Sequence, residues 1–224
     1  MGSPEAPAVS TTDAHRRVLA GLVAAYARRD PPRTVMIVGN APLPVGAARA
    51  ALVDGSDLVV RMTTFAVDPP GGPPRIGRRT DVVLVHRGVV PGPGTFADHR
   101  SRLYLLAEQG RMHWEREDRP AWFPADAVSL PNTLFTAPLG ALMGIPAQEA
   151  AWATGGTLAC YLALELFPEA TVRLTGSSIM DAPEQTSFAH AHGPAVPVTS
   201  EHRLAKEAQL LRGWIDEGRL ELVR

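Results

Sequence analysis

The chain has a single cysteine, Cys160, among its 224 residues. One thiol cannot form an intrachain disulfide, so disulfide-stapled secreted folds are excluded and a reducing compartment is expected. No apolar run is long enough to span a bilayer, and the amino terminus lacks a basic segment followed by an apolar one. The formal net charge of −1 offers no general attraction to nucleic acid or to an anionic membrane. The sequence therefore predicts a cytoplasmic protein with no membrane span and no nucleic-acid partner.

Several signatures of cofactor and metal sites are also missing. Neither G-x-G-x-x-G nor G-x-x-x-x-G-K-[ST] occurs, so a dinucleotide-binding fold and a P-loop are not supported. There is no H-E-x-x-H motif, no paired-cysteine spacing and no G-x-S-x-G elbow. His190, His192 and His202 lie close together in sequence, but no regular ligand spacing accompanies them. We therefore expect no metal and no cofactor.

Residues 35–42, VMIVGNAP, are the stretch around which the rest of the chain is organised. An apolar run without polar alternation is typical of a strand buried on both faces of a parallel sheet. The Gly39-Asn40 turn at its carboxyl end leaves backbone amides free and lets a ligand approach closely. This pattern predicts a nucleotide or phosphate site, and the alternative is an ordinary strand-to-helix turn.

Apolar runs and helical periodicities alternate along the chain. Residues 1–11 are expected to be a flexible lead-in, and residues 12–224 a single domain. Strands are predicted at 35–38, 57–62, 81–86, 102–108, 126–131, 171–176 and 219–223, and helices at 12–29, 47–55, 136–144, 155–167 and 201–218. The segment 102–108 also fits a helix, although a strand is preferred. The alternation predicts an α/β sandwich with a mostly parallel sheet.

In such a sheet, ligands bind beyond the carboxyl ends of the strands. The loops in that position are residues 39–45, 62–80, 86–96 and 176–199. Two long stretches within them, 63–80 and 177–199, have no predicted secondary structure, and loops of that length are usually functional or mobile.

Three short motifs, in order, resemble the large, small and very small motifs of sialyltransferases. The large motif has a V-G-N turn, then I-D-x-x-D-x-V-x-R-M/F-N, then G-x-R-T, and it resembles residues 38–40, 53–63 and 77–80. The small motif, Ser/Thr-Thr-Gly opening a helix, resembles the T-G-G-T run at residues 154–157. The very small motif, a His and a Glu separated by four residues, matches His202 and Glu207. The motifs and intervening strands cover residues 33–224, and the match is closest to short bacterial relatives of the family.

This resemblance implies a Rossmann-like three-layer α/β sandwich, a variant of the GT-A type, and a glycosyltransferase that is inverting and metal-independent. The donor would be a nucleotide sugar, specifically a CMP-activated acidic sugar, and the acceptor a hydroxyl of a small molecule or glycan. A single phosphate needs less neutralisation than a diphosphate, so no metal is required. Two alternatives remain, a non-catalytic nucleotide- or sugar-binding protein and a hydrolase that uses water as the acceptor.

The resemblance also implies which residues bind the nucleotide. They are Gly39, Asn40, Arg61, Thr63, Thr154, Gly155, Gly156, Thr157, His190 and His192. Asn40 could instead bond its own turn, Arg61 could pair with Asp54 or Asp57, and Thr154 could simply cap a helix. The family pattern has Asn where this chain has Thr63, so a shorter hydroxyl replaces an amide that would touch the nucleotide.

His202 matches the catalytic base of the family. With Thr199 or Ser200 capping the last helix, His202 would lie in the first turn, where the helix dipole disfavours imidazolium. The alternative is a solvated first-turn histidine. On one helix, Glu207 would lie about 140° around the axis from His202. Glu207 is therefore expected to anchor the helix, as a structural motif residue like Asp54 and Asp57.

Overall fold

The computed structural model describes residues 11–86, 92, 94–107 and 120–224. Most of the predicted lead-in, much of the loop at 86–96 and the segment 108–119 lie outside the described residues. The described helices are α1 (Thr11–Ala24), α2 (Ala47–Gly55), α3 (Phe123–Asp126), α4 (Thr136–Leu142), α5 (Gly155–Leu166) and α6 (Leu204–Asp216), with a 3-10 turn at His99–Ser101. The strands are β1 (Thr34–Val38), β2 (Leu58–Met62), β3 (Val82–His86), β4 (Leu103–Ala107), β5 (Ala127–Leu130), β6 (Thr171–Thr175), β7 (Ser187–Phe188), β8 (Val196–Pro197) and β9 (Leu220–Leu222).

Seven of these strands form one sheet in the order β5-β4-β3-β2-β1-β6-β9, and every neighbouring pair is parallel. From β1 the chain adds strands β2 to β5 on one side, and then crosses over to add β6 and β9 on the other. The direction of winding therefore changes between β1 and β6. Ligands of open α/β sheets bind at such a switch point, outside the carboxyl ends of the strands. The predicted fold class, an α/β sandwich with a mostly parallel sheet, is confirmed.

The two faces of the sheet are covered differently. On one face the main core packs against α5, which has apolar residues on almost every side and is buried nearly all round. Residues of α1, α4 and α6 complete that layer. The other face is covered by α2 and by irregular chain around Phe65 and Ile76. The crossover from β2 to β3 is therefore a loop and not a helix.

Two predictions of secondary structure are wrong, one at the end of the first helix and one in the stretch 177–199. The first helix ends at Ala24 and does not continue to Arg29, because the Arg28 amide donates to the Asp57 carbonyl (2.8 Å) and the chain turns towards the sheet. The stretch 177–199 is also not without structure, since β7 and β8 form a short antiparallel pair within it. Phe188 and Val198 of this region pack against the apolar side of α6.

The loops that follow β1 and β6 touch through two glycines at the switch point. A Cβ atom on Gly39 would overlap the carbonyl oxygen of Gly176. Gly176 has φ +67°, and a Cβ there would lie 2.7 Å from the Gly39 oxygen. The Ala41 amide donates to the Gly176 carbonyl (3.0 Å), which holds the two loops together. Glycine is required at both positions, because backbone atoms fill the space of a side chain.

We predict that Gly39→Ala lowers the free energy of unfolding by about 3 kcal/mol, since the overlapping atom is backbone and cannot rotate away. Gly21→Ala is the matched control, because no atom lies within 4 Å of a Cβ there and Gly21 is inside α1. The control should gain up to about 1 kcal/mol from helix propensity. Urea unfolding measures both, and equal effects of the two substitutions would contradict the close approach.

Candidate functional site

Asn40 joins the switch-point turn to the end of β2. Its side-chain Nδ2 donates to the Met62 carbonyl (3.1 Å) and to the Thr63 hydroxyl oxygen (3.2 Å). Its own carbonyl accepts from the amide of Ala191 (2.8 Å), between the two histidines of the long loop. Asn40 thus bonds across the sheet edge and not within its own turn. Three segments far apart in sequence therefore meet at this one residue.

Thr63 has a left-handed backbone with φ +52°. β-branched residues rarely adopt this conformation, whereas Asn is several-fold enriched there. Asn is also the residue found at this position in the pattern that the chain resembles. The backbone shape that suits Asn is therefore retained while the side chain is Thr, and such strain is found mainly at functional sites.

Glu207 of α6 binds the amino-terminal end of α5. Its Oε2 accepts from the Thr154 amide (2.9 Å) and from the hydroxyls of Thr154 (2.7 Å) and Thr157 (2.6 Å). Glu207 is completely buried. A carboxylate at this position is stabilised by unpaired amides and by the positive end of the helix dipole. Both hydroxyls therefore donate to a carboxylate of the chain itself, and the predicted phosphate contact of Thr154 and Thr157 stays a prediction.

Gly155 and Gly156 are the first two residues of α5, and both are half-buried. No residue in the described part of the chain accepts a hydrogen bond from their amides. A Cβ on Gly155 would lie 3.5 Å from Met62, so this helix end lies beside the strand end that Asn40 binds. The part of the motif available to an anion is thus the pair of glycine amides.

We predict that Glu207→Ala costs about 3 kcal/mol of unfolding free energy, because it removes the carboxylate that accepts from three buried donors. Gln209→Ala, at an exposed position of the same helix, is the control and should change stability by about 0.5 kcal/mol or less. Denaturant unfolding measures both variants. A loss for Glu207→Ala no larger than that of the control would show that this contact does not join the helices.

His202 lies before α6 and not inside it. The predicted cap at Thr199 or Ser200 is wrong, since the helix begins at Leu204 with Arg203 as its N-cap. The Arg203 guanidinium forms an ion pair with Glu149 just before the helix begins. With His202 outside the helix, the 140° estimate of its angle to Glu207 does not apply.

The His202 ring is oriented by the chain that precedes α5. Its Nδ1 lies 3.1 Å from the Trp152 carbonyl, and the Trp152 amide donates to the Glu201 carbonyl (3.0 Å). A carbonyl can only accept, so Nδ1 carries the proton, and Nε2 of the neutral ring is left as an acceptor. The residues that lead into α5 and α6 are therefore paired. This arrangement suits a general base.

His190 and His192 form a stacked pair, with ring centroids 6.1 Å apart and planes 28° from parallel. Burial lowers the pKa of His190, and its neighbour His192 lowers it further. Burial also lowers the pKa of His192. The bond between Asn40 and Ala191 brings both rings to the sheet edge. Their positions therefore do not decide which of the two histidines faces the proposed site.

These lowered pKa values predict that the fold loses stability in mild acid. As the pH falls below 6.5, the ordinary value, the unfolded chain takes up protons before the folded one does. The contribution of the two histidines to the free energy of unfolding is therefore fully present above a pH of about 6.5. It is lost as the pH falls towards the pKa values of the folded state. Urea unfolding at several pH values between about 7.5 and 5.5 measures this slope. It should flatten in the double variant His190→Gln, His192→Gln, and an unchanged slope would assign the effect to other groups.

Arg61 holds the loop 63–80 and does not face the crevice. It is 1% exposed, and its guanidinium donates to the Arg79, Ile76 and Gly77 carbonyls (3.0, 2.8 and 3.3 Å) and to the Thr80 hydroxyl (3.0 Å). Burial lowers its pKa to about 10, although nearby Asp54 acts in the opposite direction. The guanidinium thus contacts loop carbonyls and the Thr80 hydroxyl, and no carboxylate among the described residues forms an ion pair with it. The predicted contact of Arg61 with the nucleotide stays a prediction.

Three aspartates fix the same loop and its surroundings through backbone amides. Asp54 accepts from the amides of Arg78 and Arg79 (2.7 and 2.8 Å). Asp57 accepts from the two amides that begin β1 (2.8 and 3.1 Å). Asp68, which the sequence patterns did not single out, accepts from three consecutive amides at residues 75–77. The loop is thus held by charged side chains, of which Asp68 is buried and Asp54 is half-buried.

Sequence reasoning also missed two contributors to the site. Gly176 contacts Gly39 at the switch point. The sequence indicated it only as a glycine at the end of a strand that follows a buried helix. The Trp152 carbonyl orients His202, and no sequence signal reveals such a backbone contact. The described residues contain no group of three or more His, Cys, Asp or Glu side chains that could hold a metal. Their helices include none with the length and apolar character needed to cross a bilayer.

Two solved structures of mammalian sialyltransferases share this fold. One matches with a TM-score of 0.58 and 15% identity, over 85% of this chain and 68% of that protein. The other, in complex with Gal-beta-1-3GalNAc-ortho-nitrophenol, has a TM-score of 0.56 and 14% identity, over 85% and 69%. No protein-family model matches the chain, and no curated protein matches it in sequence. The chain has a sialyltransferase-like fold, and its grouping with bacterial relatives stays a prediction.

Proposed function

We propose that the crevice at the switch point binds a nucleotide sugar, with CMP as the nucleotide, and that the chain transfers the sugar to a hydroxyl acceptor. One observation carries this proposal. The Asn40 turn, Thr63, the free amides of Gly155 and Gly156, and the two stacked histidines are all linked at one edge of the sheet. The shared fold of the two mammalian sialyltransferases supports the same assignment.

In this proposal, the Gly155 and Gly156 amides bind the phosphate of the donor, since a helix amino terminus is suited to an anion. His190 adds a second contact. Burial and the neighbouring His192 lower the pKa of its ring, and a bound phosphate would act in the opposite direction by favouring the protonated ring. Both groups would stabilise the charge that develops on the phosphate as it leaves.

His202 is the base in the proposed reaction. Its Nε2 accepts the proton of the acceptor hydroxyl, the oxygen bonds to the anomeric carbon of the sugar, and the bond from that carbon to the CMP phosphate oxygen breaks. The electron pair leaves with CMP, and attack from the opposite face inverts the anomeric centre. Because Nδ1 is bound to the Trp152 carbonyl, the ring presents the correct nitrogen as acceptor.

We predict that His202→Gln lowers kcat/KM with CMP-sialic acid by about 100-fold or more, and leaves CMP affinity within about twofold. His15→Gln, at an exposed position of α1, is the control and should change neither quantity. Turnover is followed by mass spectrometry with and without candidate acceptors, which separates transfer from hydrolysis. Unchanged turnover in His202→Gln would remove this residue as the base.

A second candidate is a nucleotide-binding protein that has no transfer activity. Two observations favour it, namely Thr63 in a backbone conformation that suits Asn, and Thr154 and Thr157 hydroxyls that are already bonded to Glu207. Both reduce the polar groups that can hold a donor. This candidate predicts normal CMP binding in calorimetry without turnover of any CMP-sugar, whereas absence of CMP binding would exclude both functions.

A further inference from the structure

A groove lies on the face of the sheet that loops cover. Residues 65–70, 94, 97, 98 and 102 line it, together with Arg28, Asp54, Arg78, Arg79 and His192, and we call it the arginine groove. Its volume is about 660 Å³, inside the range of roughly 300–1,000 Å³ typical of small-molecule sites. It exists because the crossover from β2 to β3 has no helix to fill this face. His192 belongs to both the groove and the histidine pair, so the groove adjoins the proposed nucleotide crevice.

Arg102 is a buried cation in the wall of this groove. Its side chain is only 7% exposed, and Nη1 donates to the Gly94 carbonyl (2.8 Å). Its carboxylate neighbour, Asp98, lies 3.8 Å away and is 82% exposed, so it compensates the charge weakly. Arg61 lies as close to the Phe65 ring as Arg102 does, with 5.7 Å to the centroid for each. In the part of the chain that the structure describes, no other carboxylate forms an ion pair with Arg102, so its buried guanidinium favours an anion beside it.

The other charged groups of the groove differ in what they can offer a ligand. The Arg79 guanidinium is paired with Asp81 (2.9 Å), and Asp54 and Asp68 accept hydrogen bonds from backbone amides. Arg28 is exposed. Arg78 is exposed, and Asp98 presents carboxylate oxygens to solvent. The groove therefore combines guanidinium donors, which fit an oxyanion, with carboxylate acceptors, which fit hydroxyl groups. A molecule that carries both an oxyanion and hydroxyls matches this set.

We propose that the arginine groove binds the acceptor, and that the acceptor is an acidic carbohydrate whose carboxylate lies against Arg102 and Arg78. This inference rests on the proposed function, because a molecule is an acceptor only if the chain transfers a sugar to it. Binding in the groove can nevertheless be measured without turnover. The guanidinium of Arg102 supplies bidentate hydrogen bonds to the carboxylate. Asp98 accepts from sugar hydroxyls, and the His192 end places the molecule next to the crevice.

The test is calorimetry of the full chain with trigalacturonic acid, galactotriose and inorganic phosphate as probes. We expect trigalacturonic acid to bind at least about tenfold more tightly than galactotriose, since a charge-assisted hydrogen bond is worth that factor. Arg78→Gln should weaken trigalacturonic acid about fivefold or more. Arg75→Gln is the matched control, because Arg75 is exposed on the same loop but lies outside the groove. Its affinity for trigalacturonic acid should stay within about twofold of that of the unsubstituted chain. Arg102→Lys, which keeps the charge but loses the planar fork, should also weaken binding.

Equal binding of the acidic and neutral trisaccharides, or equal loss in the two loop variants, would overturn the proposal. Binding of inorganic phosphate as tight as that of trigalacturonic acid would reduce the groove to an oxyanion site and overturn the carbohydrate assignment. CMP is titrated into the same samples. If CMP binds and trigalacturonic acid does not, the proposal for the groove is overturned and the nucleotide site is retained. If trigalacturonic acid binds and CMP does not, the nucleotide site is overturned and the groove is retained.

Discussion

The carboxylate of Glu207 at the amino terminus of α5 is the contact on which the candidate site depends. Three donors from Thr154 and Thr157 converge on one oxygen in a fully buried position. This contact fixes α6 against α5, and the pairing of Trp152 with Glu201 extends the junction to the residues before each helix. Because His202 belongs to that junction, the helix end and the proposed base are positioned by the same interaction.

A second constraint is the lack of a helix between β2 and β3. A loop that crosses a buried face carries backbone groups that need partners. Here Arg61 satisfies the carbonyls, while Asp54 and Asp68 satisfy the amides. Ordinary charged side chains thus replace the internal hydrogen bonds of a helix. Because no helix lies between β2 and β3, there is room for the arginine groove beside the crevice. The irregular crossover therefore shapes both proposed sites.

Most of the fold could be predicted from the sequence, because the strands of a parallel sheet are continuous apolar runs, which helical or irregular segments separate clearly. The α2 bounds and the β1 strand followed directly from that pattern. The start of the last helix was misplaced, because Arg203, the residue before it, is bound by Glu149, which lies far away in sequence. The short pair β7–β8 was missed because two-residue strands leave no periodicity.

The candidate site was predictable only as a set of positions. The turn at Asn40 and the glycines at the start of α5 carry local signals, and the structure links both of them to the end of β2. Roles that depend on tertiary partners were not predictable. Arg61 looked available for a ligand, yet its environment consists of loop carbonyls, and the Thr154 hydroxyl looked free, yet a buried carboxylate binds it. Local pattern identifies where a polar group lies, whereas long-range packing decides whether it is free.

The most direct measurement of the central claim is a crystal structure of the chain grown with saturating CMP. The account predicts nucleotide density beside Gly39 and Asn40, with phosphate oxygens within hydrogen-bonding distance of the Gly155 and Gly156 amides. CMP bound elsewhere on the molecule, or a crevice without nucleotide at saturation, would contradict the account.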